Sequence, residues 1–207
     1  MINSYREKLS MKYMAEEDTK EKKQQEPDPL MQKMLETRTV MISGEINKEL
    51  AEKVVKQLLL LEAEGEGVIK VLINSPGGDA DAGYAIFDMI RFVKPDVYTI
   101  GMGLVASAGA LILLAAPRER RIGLPNSNYL IHQPLSGIRG VATEIEIHAR
   151  QIEKLRIKIN KLISEETGKP IEQVGIDTDR DCWLDAEEAV EYGMISKIVV
   201  TREELGL

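Results

Sequence analysis

The chain has 207 residues, of which 43% are hydrophobic and 29% are charged, so it can bury one substantial core as a single domain. Its net charge of −7, with no run of lysine and arginine, argues against a nucleic-acid-binding protein. The single cysteine excludes an intrachain disulfide, and no apolar stretch reaches the ~20 residues that a membrane-spanning helix needs. These properties predict a cytoplasmic protein that does not bind a membrane.

The N-terminal segment differs in composition from the rest of the chain. Residues 1–29 are rich in charged side chains, end at Pro27-Asp28-Pro29 and lack the apolar region of a signal peptide. This composition predicts a flexible charged arm over residues 1–29, followed by a folded domain over residues 30–207.

After the arm, strand and helix patterns alternate, which predicts an α/β fold. Short runs of β-branched residues indicate strands, and apolar residues three or four apart indicate helices. The predicted strands cover residues 38–43, 68–73, 97–102, 127–131 and 195–200. The predicted helices cover residues 48–63 with Asn47 as cap, 80–92, 108–115 and 144–166, and a last helix that begins at a capping box of Asp185 and Glu188.

The helix predicted at residues 144–166 is long for a domain of this size. At 1.5 Å per residue it would extend roughly 35 Å. We therefore expect part of it to pack against another subunit. The glycine-containing residues 135–141 before it are expected to form a flexible extension.

Ser107 follows a predicted strand and opens a predicted helix. A helix N-terminus offers unpaired N–H groups and partial positive charge where an oxyanion would form. Small neighbours, Ala106, Ala108 and Gly109, would let a peptide carbonyl approach. This placement is typical of a nucleophile, although serine is also a common helix N-cap.

A serine nucleophile needs a base that takes its proton and a carboxylate that orients the base. The chain has only two histidines, and His132 closes an apolar strand, where a histidine can also be an ordinary core residue. The second, His148, lies on the polar side of the long helix and is expected to be solvated. Asp181, in the sequence D-T-D-R-D, is the candidate carboxylate.

The loop Asn74-Ser75-Pro76-Gly77-Gly78 follows a predicted strand. Glycines allow a backbone to present its N–H groups without interference from side chains. The N–H of Gly78 could therefore face that of Ala108 across an oxyanion. The same loop could equally be a plain turn between a strand and a helix.

Two other motifs are interpreted as coincidental. Residues 101–106 match the dinucleotide fingerprint G-x-G-x-x-A, but the only acid near the expected spacing, Glu119, lies in an arginine-rich turn. Residues 177–188 follow the spacing of a calcium loop, but Cys182 stands where the sharp turn needs glycine. No metal and no cofactor is therefore predicted.

Taken together, the motifs resemble those of the ClpP family, the proteolytic subunits of the ATP-dependent Clp protease. The resemblance covers roughly residues 39–200 and rests on several motifs in one order: I-N-S-P-G-G, K-P-D-V, G-x-x-A-S-A-G-A, L-P-N-S-x-x-x-I-H-Q-P, A-T-E-I-E-I-H-A, and D-T-D-R-D with A-E-E-A-V-E-Y-G. It implies a crotonase-like ββα superhelix with a long handle helix, and the activity of a serine endopeptidase. It also implies that Ser107 is the nucleophile, His132 the base and Asp181 the orienting acid, with Gly78 and Ala108 as the oxyanion hole.

The resemblance further implies an assembly of two stacked heptameric rings. The helix at residues 144–166 and the segment before it match the "handle" that joins the rings, and Asp179 and Arg180 match a salt bridge that couples ring contact to triad alignment. The chain has no G-x-x-x-x-G-K-[ST] loop for ATP, so a partner AAA+ Clp unfoldase would supply unfolded polypeptide.

Some residues depart from the family pattern. Lys70 and Leu72 replace aromatic residues of the strand where the unfoldase docks, whereas Phe92 is retained, and Val141 replaces a handle glutamine. These changes suggest a divergent second isoform that co-assembles with a more typical ring. Two alternatives remain open: a catalytically silent or regulatory ring subunit, and an acyl-CoA enzyme of the crotonase superfamily.

Overall fold

The computed structural model describes residues 29–206, so residues 1–28 of the predicted arm lie outside the described residues. The first described element is helix α1, Pro29–Glu36. From Leu35 onward the described residues belong to one compact unit, which contains every other element.

The described residues form a seven-stranded sheet in the order β1-β2-β3-β4-β7, with β5 paired to β3 and β6 paired to β5. The pairs are parallel except for β5 with β6, which is antiparallel. The strands are β1 Thr39–Ser43, β2 Ile69–Ser75, β3 Val97–Ala106, β4 Arg121–Gly123, β5 Asn128–Ile131, β6 Cys182–Leu184 and β7 Lys197–Ile198.

The connections between strands are mostly helical, as parallel pairing requires. The helices of the compact unit are α2 Lys48–Ala63, α3 Ala80–Phe92, α4 Ala108–Leu113, α5 Ala142–Thr167, α6 Ile171–Asp177 and α7 Ala186–Tyr192, with short 3₁₀ turns at Arg118–Arg120 and Glu203–Leu205. Both predicted caps are confirmed. The side chain of Asn47 accepts from the N–H of Leu50 at 2.9 Å, and Asp185 and Glu188 form the capping box of α7.

The core lies between the sheet and helices α2, α3 and α4, which contact one another in series. Strand residues such as Val71 and Ile73 pack there with Leu58, Ile86 and Leu113. Because β3 and α4 both pack into this core, the turn that joins them has little freedom to move.

The long helix α5 is held to the core by its C-terminal half. Ile159 and Ile163 are buried, and the fully buried guanidinium of Arg121 donates to the carbonyl of Glu166 at 2.8 Å and pairs with its carboxylate. Arg91 binds the same carboxylate from α3. The N-terminal half of α5 extends away from these contacts.

Each predicted strand and helix is present, whereas the short elements β4, β6 and α6 were not predicted. β3 continues four residues beyond the predicted end because β5 pairs with residues 104–106. β4 and β6 have three residues each, too few to show an alternating pattern. The predicted strand at residues 195–200 is reduced to Lys197–Ile198. The prediction also missed α6, whose seven residues include a glycine.

None of the described helices is both long enough and apolar enough to cross a membrane.

Candidate active site

Ser107 occupies the turn between β3 and α4 in a strained conformation. Its φ of 54° and ψ of −119° lie outside the regions that L-residues normally adopt. Its N–H donates to the carbonyl of Leu130 at 2.8 Å, which ties the turn to β5. Its hydroxyl makes no capping hydrogen bond to α4. An ordinary N-cap therefore does not explain this serine, whereas a strained strand-to-helix turn is typical of an exposed nucleophile.

Two glycines pack directly against this turn. Gly77 has φ +94°, and a Cβ there would lie 2.6 Å from Cβ of Ser107 and 2.8 Å from the carbonyl of Ala106. Gly78 has φ +146°, and a Cβ there would overlap the carbonyl of Ile46, with which it forms a parallel bridge. Both positions require glycine, because the atoms that a Cβ would meet are backbone atoms or the Cβ of Ser107. These atoms cannot move aside as the end of a flexible side chain could.

The backbone N–H groups beside Ser107 could receive an oxyanion. Within residues 29–206 no hydrogen-bond acceptor is found for the N–H of Gly78 or of Ala108, the first residue of α4. The neighbouring N–H groups are engaged: that of Gly77 donates to Ser75 Oγ at 3.1 Å, and that of Asp79 to Ile46 O at 2.8 Å. Unpaired donors at a helix start are suited to stabilise developing negative charge.

His132 and Asp181 are brought together by the antiparallel pair of β5 and β6. Ile131 pairs with Cys182, so the residues on either side of this pair lie next to each other. The distance from His132 Nδ1 to Asp181 Oδ1 is 3.1 Å. A carboxylate at Nδ1 favours the tautomer with the proton on Nδ1, which leaves Nε2 able to accept a proton. The His132 side chain is 16% exposed and that of Asp181 is 61% exposed.

A cavity of about 830 Å³ connects the predicted residues. Ser107, His132, Gly78 and Ala108 all line it. A second cavity of about 560 Å³ begins at His132 and continues along residues 179–181. Within the described part of the chain no hydrogen bond joins Ser107 to His132, so the histidine–carboxylate pair is formed and the serine–histidine contact is open. Such contacts are often longer in proteins without substrate.

Asp179 and Arg180 lie beside this second cavity. Gln133 Nε2 donates to the carbonyl of Asp179 at 2.6 Å, which links the segment after β5 to the segment before β6. In the single described chain neither Asp179 nor Arg180 has an oppositely charged group within 4.0 Å.

The sequence did not identify all residues around the cavity. His148, expected to be solvated, lines it and contacts Ser136 Oγ through Nε2 at 2.8 Å. Lys154 and Lys158 also line it from α5. Their spacing of four residues could have placed these two lysines on one face, but only the folded chain shows that this face turns toward Ser107.

Residues of the two motifs that were interpreted as coincidental have structural roles. Gly101 and Gly103 lie within β3, and Gly101 leaves space for the ring of Tyr129, whose hydroxyl would be 2.7 Å from a Cβ there. Asp177 accepts a hydrogen bond from Tyr192 at 2.8 Å. Among residues 29–206, no group of three or more histidine, cysteine, aspartate or glutamate side chains is arranged to hold a metal ion.

Comparisons with known proteins agree with the motifs. A family model described as Clp protease matches residues 21–202. The chain is 65% identical to the ATP-dependent Clp protease proteolytic subunit 2 of Treponema denticola, over 91% of this chain and 94% of that protein. It is 51% identical to the proteolytic subunit 3 of Rhizobium etli, over 83% of this chain and 89% of that protein.

The structure is similar to that of a ClpP1 mutant from Listeria monocytogenes, with a TM-score of 0.80 and 52% sequence identity over 85% of this chain and 99% of that chain. The crotonase-like α/β fold predicted from the sequence is thereby confirmed, and an acyl-CoA enzyme is not supported. The chain belongs to the Clp protease family and is a serine-type peptidase.

Proposed function

We propose that Ser107, His132 and Asp181 are the catalytic triad with which this chain, as an ATP-dependent Clp protease proteolytic subunit, cleaves unfolded polypeptides. One observation carries the proposal: the strained turn at Ser107 and His132, whose ring is hydrogen-bonded to Asp181, line the same cavity. A helix cap and a core histidine would have no reason to meet there.

The geometry supports acyl transfer. Ser107 Oγ attacks the carbonyl carbon of the peptide bond while His132 Nε2 takes its proton, and Asp181 stabilises the imidazolium. The N–H groups of Gly78 and Ala108 hold the oxyanion of the tetrahedral intermediate. His132 then gives the proton to the leaving amine. Water next attacks the acyl carbon while His132 takes a proton from it, and His132 returns that proton to Ser107 Oγ as the bond from Oγ to the acyl group breaks. No cofactor is needed in this chain.

The handle supports assembly into two stacked heptameric rings. It presents apolar side chains to solvent in the single chain: Leu135 is 84% exposed and Val141 65%, and Ile145 and Ile147 on α5 are also exposed. Several exposed apolar side chains within one short stretch of chain are typical of a protein interface. Asp179 and Arg180, unpaired within the described chain, would then form ion pairs across the ring contact.

An AAA+ Clp unfoldase in the cytoplasm would feed the chamber. Its docking site would include β2, where Leu72 packs against the same small apolar cluster as Tyr98, and the exposed Phe92. Lys70 on the same strand is half-buried, and this burial, with Arg202 and Arg38 nearby, lowers the pKa of its amine. Because Lys70 and Leu72 replace aromatic residues, mixed rings with a second isoform are part of the proposal.

The test is covalent labelling with a fluorophosphonate, read by intact mass, with native mass recorded on the same sample. We expect one adduct per subunit and none in Ser107→Ala, whose oligomer should remain intact. A clean tetradecamer without adduct would contradict the proposal and favour a silent or regulatory ring subunit. If the sample is a monomer or a single ring without adduct, labelling is repeated with a partner ring, and failure there contradicts it equally.

A further inference from the structure

Two lysines of α5 differ from the other cations of that helix. In residues 29–206, neither Lys154 nor Lys158 has a carboxylate within 4.0 Å. The remaining cations of the helix are ion-paired along it: Arg150 with Glu146 at 3.2 Å, Arg156 with Glu153 at 2.7 Å, and Lys161 with Glu165 at 3.6 Å.

The two unpaired lysines line the cavity that contains Ser107 and His132. They are four residues apart, so they lie on one face of the helix and about 6 Å apart along its axis. The same cavity is also lined by apolar side chains, including Leu111 and Leu155. The cavity therefore combines an apolar lining with two positive charges on one wall.

Lys158 is held in place by an aromatic ring. Its Nζ lies 3.6 Å from the centroid of the Tyr84 ring, a cation–π contact. Tyr84 belongs to α3, is only 7% exposed and packs edge-on against Phe87, so it is a fixed support. A fixed ammonium group loses less conformational freedom when it binds a ligand than a mobile one does.

The acids of the cavity do not neutralise these lysines. The carboxylate of Asp79 caps α3 by accepting from the N–H of Ala82 at 2.7 Å, and Asp81 lies in the first turn of the same helix, where the helix dipole favours a negative charge. Neither is within ion-pair distance of Lys154 or Lys158. The positive wall is therefore available to an anionic group of a bound peptide.

We infer that Lys154 and Lys158 form a carboxylate-binding subsite beside the scissile bond. The subsite would favour peptides that carry an acidic side chain, or a free C-terminal carboxylate, a few residues from the cleaved bond. This inference rests on the proposed function, because it takes the cavity at Ser107 as the peptide-binding site. An apolar cavity alone would select only for size and hydrophobicity.

The turnover test uses internally quenched peptides that differ only by Glu or Gln at one position, scanned over both sides of the scissile bond. We expect kcat/KM for the Glu peptide to exceed that for the Gln peptide at one or more positions, by about two- to five-fold per lysine engaged, and to lose this advantage at high salt. Lys154→Met and Lys158→Met should each reduce the ratio. Lys161→Met, which removes an ion-paired lysine of the same helix, should leave it unchanged.

A binding test keeps the inference separate from catalysis. Fluorescent Glu and Gln peptides, each with a free or an amidated C-terminus, are titrated by anisotropy into assembled Ser107→Ala protein with or without the lysine substitutions. A Glu preference lost in Lys158→Met supports an acidic side chain as ligand, and a preference lost on amidation supports the chain end. Equal Kd values for all peptides, or ratios that the lysine substitutions leave unchanged, would overturn the subsite. Preferential binding without Ser107-dependent hydrolysis would retain the subsite and refute the proposed triad.

Discussion

Gly77→Ala should displace Ser107, the proposed nucleophile, while leaving the side chains of the proposed triad unchanged. The added Cβ would lie 2.6 Å from Cβ of Ser107, whereas carbon atoms normally approach to about 3.5–4.0 Å, so one of the two segments must shift by about 1 Å. A misplacement of about 1 Å in a reacting group costs on the order of 10²-fold in rate. The φ of +94° adds about 1–2 kcal/mol of backbone strain for any L-residue.

A matched control separates displacement from strain. Gly44 has φ +81°, and nothing lies within 4 Å of a Cβ built there. Gly44→Ala should therefore lower the free energy of unfolding by a similar 1–2 kcal/mol, roughly, without moving Ser107. Fluorophosphonate labelling rate and kcat/KM on a neutral peptide are measured for both variants, with native mass to verify assembly. The reasoning is refuted if Gly77→Ala is labelled within about three-fold of the unmodified chain, or if Gly44→Ala loses as much activity.

Two further predictions concern buried phenols. Burial raises the pKa of Tyr129 to about 12, whereas the pKa of a tyrosine in the unfolded chain is near 10. The contribution of the Tyr129 hydroxyl to folding stability is therefore complete below about pH 10, and it is lost as the pH rises toward 12. Tyr129→Phe should flatten the fall in unfolding free energy above pH 10 by up to about 1.4 kcal/mol per pH unit, measured by urea unfolding, and an unchanged slope would contradict this assignment. The hydroxyl of Tyr84 is buried without a hydrogen-bond partner among the described residues. Tyr84→Phe should therefore stabilise the chain by about 1 kcal/mol and raise Tm by roughly 2–4 °C, whereas a lower Tm would reveal a partner for the hydroxyl.

The sequence alone was sufficient wherever a pattern extended over several residues. Helix α2 was located by its apolar spacing and its Asn47 cap, α3 by its predicted range of residues 80–92, and α5 to within two residues at its start. Ser107 was placed correctly between strand and helix because both neighbouring patterns were long. The same patterns could not predict the positive φ of Ser107, since this φ depends on how residues 74–78 pack against Ser107.

The approach of Asp181 to His132 lay beyond sequence patterns for a different reason. This approach is produced by the pairing of β5 with β6. β6 consists of three residues, which are too few to show a periodic pattern in the sequence. The family resemblance predicted both residues, but nothing local to Asp181 indicates its partner. Similarly, spacing shows that Lys154 and Lys158 have no acid four residues away, yet their position on the cavity depends on the packing of α5 against the core.

The exposure of Asp181 suggests how the proposed ring contact would act on the proposed triad. A carboxylate that is 61% exposed attracts an imidazolium weakly, because water screens the charges, and the same pair interacts more strongly once a neighbouring chain excludes that water. His132 is also the residue from which the chain runs directly into the exposed handle. A contact that fixes residues 135–141 would therefore act on the imidazole through only a few peptide units. For this reason we expect ring contact to complete the hydrogen bond between Ser107 and His132 that is not formed in the single chain.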